Sequence, residues 1–213
     1  MSEIQHIVFD IGNVLLRWDP ELPFRRLIPD AAERRRFLTE VCSSAWNLEQ
    51  DRGRGWPDAE AELIGRFPEQ EAMIRAWRAN WHEMIPGSIE ETTVILDELV
   101  SAGQDVTALT NFADDTFAEA LERFPYLRQF RGVTVSGQVG LVKPEPEIYR
   151  LHAETFGLTP AATLFFDDTA VNVEAARQAG WQAERFVDPA TMRADLARHG
   201  VTGHDADSVS MRA

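Results

Sequence analysis

Ile4-Gln5-His6-Ile7-Val8-Phe9-Asp10-Ile11-Gly12-Asn13-Val14-Leu15-Leu16 is the stretch on which the fold turns. Apolar Ile4, Ile7, Val8 and Phe9 run straight into Asp10. Gly12 and Asn13 then break the run, and Val14, Leu15 and Leu16 resume it. A short β-rich apolar run bounded by a turn predicts a buried strand. An ionisable carboxyl at the C-terminal end of such a strand is costly unless its charge is used. In open α/β sheets that edge is where ligands bind. Asp10 is therefore the first candidate for chemistry.

Working outward, residues 17–86 show no clear strand pattern. Asp19-Pro20 reads as a helix start, because Asp accepts from free N–H groups and Pro suits the first helical position. Further helices are predicted over 30–43, over 59–67 with Asp58 as cap, and over 68–84. Trp77 and Trp81, at helical spacing, read as core. Trp46 falls in an irregular run with Asn47, Glu49, Asp51 and Arg52.

From Ser88 an α/β rhythm begins. A helix over 88–102 is predicted with Ser88 as N-cap and Glu91 completing a capping box. Strands are predicted over 105–109, 132–136, 163–166 and 181–186, and helices over 114–124, 145–156, 170–179 and 189–198. Such alternation implies right-handed crossovers and a parallel sheet. The expected division is a core of residues 1–16 and 87–199, an inserted α-helical cap over 17–86, and a flexible polar tail over 200–213.

Composition narrows the function. The 213 residues are 44% hydrophobic, enough for a substantial core. The 21 basic and 35 acidic residues give a net charge of −14, which argues against nucleic acid as a partner. An acidic chain still binds an anionic substrate where a metal ion and a few cations reverse the sign locally. The single cysteine, Cys42, excludes an intrachain disulfide and reads as a buried structural thiol. The five histidines show no metal-ligand spacing. No basic-then-apolar leader and no bilayer-length apolar run is visible, so the expectation is a cytoplasmic protein without a membrane partner.

In a parallel sheet the strand ends share one edge. That brings together Asp10, Thr110-Asn111 and Asp167-Asp168, with Lys143 in a loop before a helix. Clustered carboxylates repel one another and call for a cation, and oxygen-rich sites suit magnesium. Magnesium neutralises phosphate oxygens and orients an in-line attack. A carboxylate then serves as nucleophile, forming an acyl phosphate that water splits. Thr110, Asn111 and Lys143 supply donors and positive charge to the phosphoryl oxygens. The expected partner is a small phosphorylated metabolite, bound by a monomer or homodimer.

Four elements in this order resemble the haloacid dehalogenase superfamily of hydrolases. Asp10-Ile11-Gly12-Asn13-Val14 resembles its first motif, Leu109-Thr110-Asn111 its second, Lys143-Pro144 its third and Phe165-Phe166-Asp167-Asp168 its fourth. The helical insertion is similar to the cap of subfamily I. The Asp-x-Gly-Asn-Val wording is most similar to the α-D-glucose-1-phosphate phosphatase-like branch. The resemblance implies a Rossmann-like three-layer α/β sandwich and a magnesium-dependent phosphatase acting on a small phosphate monoester, a sugar phosphate being the expected kind. It further implies Asp10 as nucleophile and metal ligand, the Gly12 backbone carbonyl and Asp168 as ligands, and Asp167 as a ligand through water or a support. Thr110 and Asn111 would hold the phosphoryl group and Lys143 would bridge it to the nucleophile. Most phosphatases of the superfamily carry Asp two residues after the nucleophile as general acid, whereas this chain has Gly12. Three outcomes follow: the substrate needs little leaving-group protonation, as an anomeric sugar phosphate would; another acid substitutes, from the cap or from water; or turnover is slow or lost. Two alternatives follow: a 2-haloacid dehalogenase using the same Asp, and a phosphate-binding regulatory module that has lost turnover.

Overall fold

The computed structural model describes residues 3–201. Five parallel strands stand in the order β3-β2-β1-β4-β5: β1 His6–Phe9, β2 Asp105–Thr110, β3 Val133–Val135, β4 Thr163–Asp167 and β5 Gln182–Arg185. The chain winds outward from β1 through β2 to β3, then crosses back to place β4 on the other flank of β1. The order reverses at β1/β4, so a crevice opens there at the carboxyl ends of the strands. His6 stands level with both Asp105 and Thr163, and the register holds through Phe9 against Ala108 and Phe166.

The central strands are near-continuous apolar runs because both faces of the sheet are covered. Ile7, Phe9, Leu164 and Phe166 point into one core with Ile95, Leu96, Leu99, Met192 and Leu196. The last five come from α6 (Glu90–Ser101) and α11 (Pro189–Arg198). Val8, Leu109 and Phe165 point the other way, onto Ile148 and Tyr149 of α9 (Pro146–Phe156) and Val173 of α10 (Ala170–Gln178). The period-2 alternation of β1 thus feeds two hydrophobic layers. α7 (Asp114–Arg123) and the short α8 (Ser136–Val139) complete the α/β part.

Between β1 and α6 the chain is helical: α1 (Glu21–Leu27), α2 (Ala31–Arg36), α3 (Ser44–Asp51), α4 (Trp56–Arg66) and α5 (Glu71–Ala79). Phe24, Phe37, Trp46, Leu63, Ile74 and Trp77 are buried among themselves, and their cluster is continuous with one sheet face. Cys42 is buried there too, and burial holds its thiol well above the ordinary range, in keeping with a structural residue.

Several predicted boundaries are corrected. The helix expected over 30–43 is capped by Asp30 as foreseen, but α2 passes into a π-helical turn, Phe37–Val41, and stops. Ser43 then caps a separate helix, α3, its Oγ accepting from the Trp46 N–H, so the run around Trp46 is helical and not irregular. Asp58 lies in the first turn of α4, whose N-cap is Gly55. The helix expected over 68–84 is α5 flanked by 3₁₀ turns, Pro68–Gln70 and Trp81–Met84. The Ser88/Glu91 capping box does not form. α6 starts at Glu90 behind Ile89, while Ser88 bridges Leu16 and accepts a 3.0 Å hydrogen bond from the Tyr126 hydroxyl. The expected tail lies, from residue 202 on, outside the described residues, and Val201 is buried. Among the described residues no helix is long and apolar enough to cross a membrane.

Candidate active site

The ladder of β1 continues one residue past the strand: the Asp10 N–H donates to the Phe166 carbonyl at 2.8 Å. Asp10 is thereby fixed at the reversal point of the sheet. The chain then turns sharply. The left-handed backbone falls on Asn13 (φ 52°), not on Gly12, at a residue type whose short polar side chain tolerates it. Asn13 Oδ1 accepts from the Trp18 N–H, and Leu16 returns to bridge both Gly12 and Ser88. This tight loop sends the chain out into the helical insertion and brings it back beside Asp10.

Lys143 arrives from the loop after α8, through a cis Lys143–Pro144 peptide. Its ammonium is buried, 2.8 Å from Asp10 Oδ1 and 2.7 Å from Asp167 Oδ2. It also stands 5.4 Å from the centroid of the Phe165 ring. Burial works against the charge, but the Asp10 and Asp167 carboxylates outweigh it and hold the Lys143 pKa above its ordinary value. For Asp10 burial dominates. It pushes the carboxyl up to about 7, with Lys143 pulling down and Asp167 and Asp168 pushing further up. One ammonium among three carboxylates leaves excess negative charge, the condition under which a cation binds.

The fit to a metal ion is visible in the donor set. Asp10, Asp167 and Asp168 each present a carboxylate oxygen, all within 4.8 Å of one another, an all-oxygen group of the kind hard divalent cations take. Asp167 is fully buried and held on both oxygens. Oδ1 accepts from the Thr169 N–H at 2.8 Å, and both oxygens accept from the Asn172 amide at 3.1 Å. Asp168 is partly exposed, with Oδ1 accepting from the Thr169 hydroxyl.

At the end of β2 the Thr110 hydroxyl is buried without a hydrogen-bond partner, as are Trp46 Nε1 and the Thr92 hydroxyl elsewhere. An orphan buried hydroxyl is costly, and the one at this edge is free to donate to a ligand. The Asn111 amide is already engaged on one side. Its Nδ2 donates to the Lys143 carbonyl at 3.0 Å and its Oδ1 accepts the Lys143 N–H at 2.8 Å. It therefore braces the lysine loop at both backbone groups.

Above this floor lies a cavity of about 180 Å³ between the strand ends and the helical insertion. Gly12 and Asn111 line its floor, Trp18, Trp56, Trp81 and Phe112 its apolar walls, and Asn47 and Asp51 of α3 reach it from the insertion. Trp81 is thus both buried and a wall, whereas Trp77 stays in the helical core. Two contacts fasten α3 to the α/β part. The Ser136 hydroxyl donates to the Asp51 carbonyl at 2.5 Å, and Arg52 Nη2 pairs with Glu145 Oε1 at 2.7 Å. Burial pushes the Asp51 carboxyl up to about 7, against hydrogen bonds from the Ala113 N–H and the Asn47 amide that lower it.

All six predicted positions with functional side chains, and Gly12, meet at this edge. Sequence reasoning missed the bracing role of Asn111, the Asn172 support of Asp167, and Asp51. The last carried one readable signal, the Asn47/Asp51 pair at (i, i+4) spacing, which the structure joins at 3.0 Å.

The sequence model of the haloacid dehalogenase-like hydrolases matches residues 4–180. The sesquiterpene phosphatase astK of Aspergillus oryzae is 27% identical, over 85% of this chain and 89% of that protein. An HAD family enzyme of Bacteroides thetaiotaomicron, solved in complex with magnesium and inorganic phosphate, superposes with a TM-score of 0.64 at 23% identity. The alignment spans 87% of this chain and 95% of the other. L-2-haloacid dehalogenase of Xanthobacter autotrophicus, with chloropropionic acid covalently bound, gives 0.63 at 20% identity over 93% and 84% of the two chains. At these identities the structural likeness is one of fold.

Proposed function

Because the chain belongs to the haloacid dehalogenase-like hydrolases, we propose that it is a magnesium-dependent phosphatase that cleaves a small phosphate monoester through an aspartyl-phosphate intermediate. The observation that carries this reading is the buried Lys143 ammonium between Asp10 and Asp167, beside an unpartnered Thr110 hydroxyl. Asp10 is the nucleophile: its carboxylate oxygen attacks phosphorus and the ester oxygen departs. Water then attacks the same phosphorus and frees Asp10. Lys143 holds Asp10 in place and meets the phosphoryl oxygens, and Thr110 donates to them. Asn111, expected to hold the phosphoryl group, also fixes the Lys143 backbone. Asp10, Asp168 and the Gly12 carbonyl would hold the metal ion, with Asp167 as the support that locks Lys143. When bound, that ion supplies charge neutralisation to the phosphoryl oxygens.

The helical insertion, residues 17–86, acts as the cap that closes over the site and excludes water. Its pocket, walled by tryptophans and Phe112 with Asn47 and Asp51 as polar points, suits a small leaving group with an apolar or ring face, a sugar phosphate among them. The retained carboxylate group at Asp167-Asp168 favours phosphoryl transfer over the dehalogenase alternative, which needs no such cluster.

The test is a screen of phosphate monoesters with magnesium and with EDTA, on the wild type and on Asp10→Asn. Magnesium-dependent phosphate release that Asp10→Asn abolishes is expected. Chloride release from 2-chloropropionate in EDTA would establish the dehalogenase instead. Tight phosphate binding with no turnover of any ester would establish the regulatory module.

A further inference from the structure

We propose that Asp51, carried by α3 of the insertion, is the proton donor to the leaving group, in place of the side chain that Gly12 lacks. The assignment rests on the phosphatase reading above. A Cβ built on Gly12 meets nothing within 4 Å, so glycine is not required there by crowding. The volume that a side chain would occupy is open to the cavity that Gly12 lines, and Asp51 lines the same cavity. Among the described residues lining it, Asp51 is the one ionisable side chain. Asp19, the other acid near the turn, is engaged elsewhere: its Oδ1 accepts from the Glu21 N–H and its Oδ2 pairs with Arg25.

Asp51 is also held in position. Asn47 donates to its Oδ2 at 3.0 Å, the Ala113 N–H donates to the carboxyl, and Ser136 grips its carbonyl. The charged groups on the surrounding elements are paired with one another. Arg52 pairs with Glu49 and Glu145, Glu40 with Arg36, and Asp115 with Arg78, while Asp114 accepts from Gln138. Burial and the two hydrogen bonds to the carboxyl, rather than a neighbouring charge, set its protonation. A carboxyl poised near 7 carries a proton at neutral pH and can return it, as a general acid must.

The steps balance. As Asp10 bonds to phosphorus, the bond from phosphorus to the leaving oxygen breaks, its electron pair stays on that oxygen, and the Asp51 proton moves onto it. The Asp51 carboxylate next takes a proton from the water that attacks the aspartyl phosphate. The bond from phosphorus to the Asp10 oxygen breaks, and phosphate leaves with both carboxyl groups restored.

The experiment compares p-nitrophenyl phosphate, whose leaving group needs no proton, with butyl phosphate, whose leaving group does, in the presence of magnesium. Asp51→Asn, nearly isosteric, is expected to lower kcat/KM, which reports the phosphoryl-transfer step and not the shared hydrolysis of the aspartyl phosphate, on butyl phosphate by about 10²-fold or more, and on p-nitrophenyl phosphate by far less. The alkaline limb of the butyl phosphate pH profile should vanish with it. In the double variant Gly12→Asp/Asp51→Asn, the new carboxyl is expected to recover much of the lost butyl phosphate activity. Retained turnover of p-nitrophenyl phosphate shows that the variant is folded. Equal losses of kcat/KM on both esters, or an unchanged alkaline limb, would overturn the role of Asp51 while leaving the phosphatase standing. A wild type that hydrolyses neither these two esters nor any ester of the wider screen overturns both.

Discussion

Replacing Asp51 by Asn should stabilise the protein at alkaline pH and leave it unchanged in acid. The carboxyl has an ordinary pKa of 3.8 and about 7 in the fold, raised chiefly by burial. Between those values the folded state binds more protons than the unfolded one. Stability from this group is therefore full below pH 3.8 and is lost as pH rises through 7. At about 1.4 kcal/mol per pH unit the interval gives an upper figure of ~4 kcal/mol at pH 8. Asp51 is half-buried where it lines the cavity, so water recovers part of that, leaving a gain on the order of 1–3 kcal/mol for the neutral amide. The assay is urea unfolding at pH 4 and pH 8, followed by the fluorescence of the six tryptophans. The expected result is a higher midpoint for the variant at pH 8 with an unchanged m-value, and coincident curves at pH 4. A difference of the same size at both pH values, or a less stable variant at pH 8, would refute the argument. A variant both sturdier and slower is the pattern expected where a site holds a carboxyl that the fold disfavours.

Thr110→Val keeps the shape and removes the orphan hydroxyl, so stability should hold or rise slightly. The inhibition constant of inorganic phosphate should rise by about tenfold, the worth of one hydrogen bond to a charged group, and an unchanged constant would remove Thr110 from the phosphate site. His152, sealed between the Thr107 and Thr134 hydroxyls, is pushed down to about 3, chiefly by burial. Below pH 6.5 the unfolded state takes the proton that the folded state refuses, so stability falls with falling pH by about 1.4 kcal/mol per unit from this group. His152→Gln should flatten that acid slope in urea midpoints taken from pH 4 to 7, and an unaltered slope would show that His152 titrates freely in the fold.

Much of this was legible because strands announce their own ends. Asp10, Thr110 and Asp167 each close an apolar run, and a parallel sheet leaves such residues only one edge to share. What was not legible depends on where side chains turn after the strand stops. Nothing in Leu109-Thr110-Asn111 says that the asparagine reaches across to the backbone of Lys143. The failed Ser88 cap has the same origin: local chemistry offered a capping box, but the Leu16 bridge and the Tyr126 hydroxyl claimed the serine first. In the insertion, the polar residues of α3 concealed a helix whose apolar face is little more than Trp46 and its neighbours. Asp51 was therefore one acid among several until the fold brought it to the cavity that Gly12 also lines.

The two halves of the pocket are tied down by different means. Lys143, Asp10 and Asp167 are locked by buried contacts that dissolved ions scarcely reach. The α3 side leans partly on Arg52 and Glu145, both about one-third exposed, where the Debye length at physiological ionic strength is about 8 Å and shrinks to about 3 Å in molar salt. Ionic strength thus acts as a selective probe. It weakens the Arg52–Glu145 pair that helps seat α3 while leaving the buried contacts of Lys143 with Asp10 and Asp167 in place, without a single mutation.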